Sequence, residues 1–136
     1  MTRLALALLF VVTAAAVGED KPVGQPLIEV TLGESDKLAI KPGKWAAPSK
    51  IATTAELEKL VADKETRATI TKAVDFKSHD LLVFAWQGSG GDKLEYTVAE
   101  SYPEQVRFTL TRGLTKDLRT HTKLFAVRKN VKWSTK

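Results

Sequence analysis

The sequence predicts an α+β domain in which an antiparallel sheet of four to six strands carries one helix packed on a face. Three observations lead there. Leu81 to Trp86 is an unbroken apolar run, which suits a strand covered on both faces. Leu94, Tyr96 and Val98 alternate with Lys93, Glu95 and Thr97, and Val106, Phe108 and Leu110 alternate with Arg107, Thr109 and Thr111, as half-exposed strands do. Thr53 to Asp63 has the 3.6-residue apolar period of a helix lying on such a sheet.

Met1 to Arg3 is a short basic start, and Leu4 to Val17 is apolar or small apart from Thr13, the layout of a secretory signal peptide over residues 1–18. Fourteen residues of helix reach only about 21 Å, short of the ~30 Å hydrocarbon core of a bilayer, so no permanent membrane span is expected. Small residues allow cleavage before Val17 or before Glu19. The second site, after Gly18, is favoured, and the product is expected to be exported, periplasmic or extracellular. The absence of cysteine excludes a disulfide framework and a cysteine-borne lipid anchor.

Residues 19–25, punctuated by Pro22 and Gly24, read as a loose mature N-terminus, and residues 26–136 as one domain. One of the 21 basic residues, Arg3, falls in the leader, so 20 face 16 acidic ones and the remainder carries +4. Signs are mixed and no long basic run occurs, which argues against a nucleic-acid partner.

Leu27 to Leu32 suggests a first strand, ended by Gly33 to Asp36. Lys37 to Ile40 suggests a short second one that pairs with it before Pro42 and Gly43. Trp45, in an irregular stretch with Pro48, is expected to staple that connection. The helix opens with the capping box Thr53-x-x-Glu56, and Leu57, Leu60 and Val61 share its apolar face. From Lys64 to Lys72 the pattern fits a second helical segment or an irregular connection equally well.

Gly88 to Asp92, with three glycines in four positions, lets the chain reverse, so the Leu81 and Leu94 strands are expected to form a hairpin with a bulge. Tyr102 and Pro103 break the chain before the Val106 strand, which stops at Gly113. Lys123 to Val127 is a second apolar run filled on both parities and is expected beside the Leu81 strand in the sheet centre. Trp133 is expected at the core edge.

A helix of the TAELEKL type, then VDF, a strongly apolar strand, a GSGG turn and an alternating strand together resemble the PrcB C-terminal-like domain over roughly residues 51–133. Asp92 follows the paired glycines where that family usually has an aromatic residue, and a proline often found near its last strand is missing here. The resemblance implies a small exported bacterial domain without catalytic residues. It also implies a role in stabilising a complex, since the family takes its name from a protein that stabilises a surface protease complex.

The residues name no reaction. Ser89 does not fit the G-x-S-x-G nucleophile turn, since Gln87 stands two before it, and the chain is too short for a two-barrel serine protease. No phosphate-binding loop of the G-x-x-x-x-G-K-[ST] type occurs, and no cofactor is expected. A metal site would have to use His79 and His121, which up-and-down strands place roughly 23 Å apart. The same topology brings the turn at 88–92 and the loop at 113–122 to one end of the sheet, with Ser89, Gly90, Gly91, Asp92, Lys116, Asp117, Arg119 and His121 on it. Successive glycine amides there could hold an anion, and Arg119 could fork onto a carboxylate or phosphate. The expected function is a non-catalytic binding or complex-stabilising module for a cell-envelope protein or an acidic ligand. The rival is a small hydrolase or anion-dependent enzyme using His121 and Arg119.

Overall fold

The computed structural model describes residues 25–33, 36, 38–101 and 103–136. The leader over 1–18, the cleavage site, residues 19–24, Lys37 and Tyr102 lie outside them. Among the described residues, seven strands and two helices follow in the order β1 (Leu27–Val30), β2 (Ser49–Ile51), α1 (Thr54–Leu60), α2 (Lys64–Ala73), β3 (His79–Gly88), β4 (Lys93–Ala99), β5 (Gln105–Thr111), β6 (Arg119–Arg128) and β7 (Lys132–Thr135).

The strands form two sheets. One is four-stranded and antiparallel, in the order β1-β6-β3-β2; the other is β4-β5-β7, with β5 antiparallel to β4 and parallel to β7. The apolar strands β3 and β6 pair in the centre of the first, from His79 opposite Arg128 to Gly88 opposite Arg119. Alternation along them divides the core. Leu81, Val83, Leu124 and Ala126 meet Leu57 and Ile70 of the helices and Val61, which caps the C-terminal end of α1. Leu82, Phe84, Trp86, Phe125 and Val127 meet Val106 and Phe108 of the second sheet. The layers are therefore helices, four-stranded sheet, three-stranded sheet, and both faces of β3 are covered.

That arrangement corrects the expected hairpin. β3 and β4 are consecutive but unpaired; they belong to different sheets, and β4 pairs with β5. The physical reason lies in the apolar run itself, since a strand buried on both faces needs a second layer. The four residues after Gly88 carry the chain round into that layer.

Thr53 caps α1, its hydroxyl accepting from the Glu56 amide at 3.2 Å, while Glu56 Oε2 accepts from the Ala52 amide at 2.8 Å, one residue earlier than the usual capping box. Residues 64–72 are helical after all. Asp63 caps α2 through the Thr66 amide at 3.0 Å, and Thr66 and Ile70 are buried on one face, one helical turn apart. Two helices thus stand where one was expected. The proposed strand at 37–40 is not seen in its described residues; Leu38 and Ile40 pack on the helix-side core without pairing, and β1 pairs with β6 instead. Trp45 and Trp133 both pack at the edge of the inter-sheet core.

Candidate functional site

The two crossovers between the sheets, residues 89–92 and 112–118, run side by side at one end of the molecule. Gly88 lies opposite Arg119 at the last rung of the β3–β6 ladder, and Lys93 lies opposite Thr111 at the first rung of β4–β5, so sheet pairing holds the ends of both loops together. Hydrogen bonds then stitch the loops along their length. Asp92 Oδ1 accepts from the Gly113 amide at 2.8 Å, Asp117 Oδ1 from the Gly90 amide at 3.0 Å, and Thr115 Oγ1 from the Gly91 amide at 3.3 Å. The Ser89 and Thr115 hydroxyls bond to each other. Gly113 approaches so closely that a methyl carbon on it would lie 2.5 Å from Gly91 Cα and 2.7 Å from Asp92 N, so only glycine fits.

Asp92 is the buried centre of the stitching. Its side chain is fully enclosed and accepts from Trp86 Nε1 at 3.2 Å and from Arg112 Nη1 at 3.3 Å. The Gly113 amide, helped by Trp86 and the positive charge of Arg112, holds its carboxyl below the ordinary range against the opposing effect of desolvation. Asp117 is half exposed, with Arg119 Nε donating to its Oδ2 at 2.6 Å. The Thr115 hydroxyl and then the Gly90 amide stabilise the ionised form and lower its pKa to about 2. His121 stacks on Trp86 with centroids 5.0 Å apart, and its Nε2 donates to the Ser89 carbonyl at 2.7 Å.

All eight residues singled out at this end are therefore brought together, but they divide by role. The glycine amides do not face outward as an open anion cradle; Asp117, Thr115 and Ser89 occupy them. Asp92 and His121 serve the scaffold. Arg119 remains available, with 70% of its side chain exposed.

Sequence reasoning named Lys116 and Arg119 but overlooked the two leucines that face outward beside them. Gly113, Thr115 and Asp117 bond to the opposite loop, whereas the residues between them do not; Leu114 is 99% and Leu118 73% exposed, and Lys116 between them is exposed too. The alternation was present in GLTKDLR, although a seven-residue connection without strand pairing did not draw attention to it.

No family model, curated protein or solved structure matches the chain. The Ser89 oxygen that meets His121 is the carbonyl and not the hydroxyl, and none of the five principal clefts among the described residues is lined by this end. His79 is buried at the far end of β3, its Nδ1 2.7 Å from Ser78 Oγ. No group of three or more His, Cys, Asp or Glu side chains suited to a metal occurs among the described residues.

Proposed function

We propose that the protein is an exported, non-catalytic binding or complex-stabilising module that engages an acidic group on a cell-envelope partner through its paired loop end. One observation carries this reading: both carboxylates of the loop end are turned onto the protein's own amides and cations, while the Arg112, Lys116 and Arg119 side chains stay exposed on loops held rigid by the stitching. Rigid presentation lowers the entropy lost on binding. The leader-like residues 1–18 support export, and the resemblance to the PrcB C-terminal-like domain supports the complex-stabilising role. The hydrolase reading has less support, because His121 Nε2 is spent on a backbone carbonyl.

Arg119→Ala tests the proposal. Asp117 keeps the Gly90 amide when Arg119 is removed, so the melting temperature should stay within a degree or two of the parent, whereas binding to an acidic peptide such as polyglutamate should fall severalfold. Unchanged binding accompanied by a large loss of melting temperature would make Arg119 a structural residue and end the reading.

A further inference from the structure

The outward face of residues 113–118 is unusual for a loop. Leu114 is 99% and Leu118 73% exposed, so two large apolar side chains four residues apart face solvent on one short loop. They are not there for want of a core position, because the intervening residues are fixed inward by Asp92, Ser89 and the glycine amides and the alternation forces their neighbours out. Lys116 stands between the two leucines, and Arg112 and Arg119 flank them. Asp117 is the single acid of this stretch, and its charge is answered by Arg119 and the Gly90 amide. Arg112 is likewise paired with Asp92 of the opposite loop, so the exposed face is apolar at two points and carries three cations against two carboxylates, a net single positive charge.

We infer that this face seats on an anionic lipid surface, Leu114 and Leu118 entering the boundary between headgroups and acyl chains while Lys116, Arg112 and Arg119 lie at the level of the phosphates. This rests on the reading that the loop end is the recognition surface, and it names the partner of that same surface. Two features favour a membrane over a folded protein. Projecting leucines need matching pockets on a protein partner, but a fluid interface accepts them wherever they fall. Cations ringing the apolar tips match a negative surface that is laterally extended, and each contributes severalfold to binding at low ionic strength. The arrangement anchors reversibly, since two leucines make far less apolar contact than a spanning helix.

Cosedimentation with vesicles is the test. The protein should pellet with vesicles of mixed phosphatidylglycerol and phosphatidylcholine, remain in solution with phosphatidylcholine alone, and be released by salt. Leu114→Ser combined with Leu118→Ser should weaken vesicle binding by about tenfold or more without lowering the melting temperature, and Lys116→Gln by about fivefold. Failure of the wild-type protein to pellet, or vesicle binding that ignores the leucine changes, overturns the inference. Polyglutamate separates this from the broader reading. Binding to polyglutamate but not to vesicles removes the lipid and leaves the acidic-group surface standing; Arg119→Ala without effect on either probe removes both.

Discussion

Gly113→Ala probes the stitching of the two loops at its tightest point. The added carbon would stand 2.5 Å from Gly91 Cα and 2.7 Å from Asp92 N, and these are backbone atoms that cannot swing aside as a side chain does. An ordinary carbon contact needs roughly 3.5–4.0 Å, so the loops must part by about 1 Å. That displacement stretches the 2.8 Å bond from the Gly113 amide to Asp92, leaves part of an enclosed carboxylate unsatisfied, and pulls Thr115 and Asp117 away from Gly91 and Gly90. Overpacking of this kind destabilises by about 1–3 kcal/mol, which lowers the melting temperature of a domain this size by on the order of 5–10 °C. Gly43→Ala is the matched control, because a methyl carbon there meets nothing within 4 Å and should leave stability nearly unchanged. Thermal unfolding followed by circular dichroism of both variants decides the matter. A Gly113→Ala protein that melts within 2 °C or so of the parent would show that the loops do not depend on this close approach.

Other perturbations reach the rest of the molecule. Asp117 should titrate at a midpoint of about 2, against 3.8 for an unperturbed aspartate, in carboxyl carbon NMR. Its depressed pKa means that its contribution to stability is present above 3.8 and is lost as the pH falls towards 2; a midpoint at the ordinary value would refute the bonds to Thr115 and Gly90. Thr53→Ala removes the hydroxyl that caps α1 and should lower unfolding free energy by about 1 kcal/mol in urea titration. Phe84, wholly buried with its ring 4.8 Å from that of Phe108, should cost about 3–5 kcal/mol as Phe84→Ala and much less as Phe84→Leu.

Much of this fold could be read from apolar spacing. Leu81 to Trp86 and Lys123 to Val127, filled on both parities, are the central pair of the four-stranded sheet, and the Thr53 to Glu56 box marks the start of α1. The second sheet escaped because a covered strand does not say what covers it: helices could have taken both faces. α2 stayed open between helix and irregular connection because its buried face is only Thr66 and Ile70, too little apolar signal beside Lys64, Arg67 and Lys72. The shared loop end followed from strand direction alone, and the eight residues placed on it do converge there. Their division into inward and outward sets depended on the pairing of the two loops with each other, an interaction across more than twenty residues for which no local pattern stands.

The nesting of the strands gives the paired loops a part in how the chain reaches its fold. β4 and β5 are joined locally and can pair early, whereas the ladder between β3 and β6 must close around everything from residue 89 to residue 118. Once the inner pair has formed, the outer strands are separated only by the two short arms 89–92 and 112–118. The bonds of Asp92 to Gly113 and of Gly90 to Asp117 tie those arms together beside the rung where Gly88 lies opposite Arg119, the end of the outer ladder at which the loop left to close is shortest. A chain weakened there would close the outer ladder slowly, and a one-residue slip in that first contact would turn Phe84 and Trp86 away from the second sheet and towards the helices.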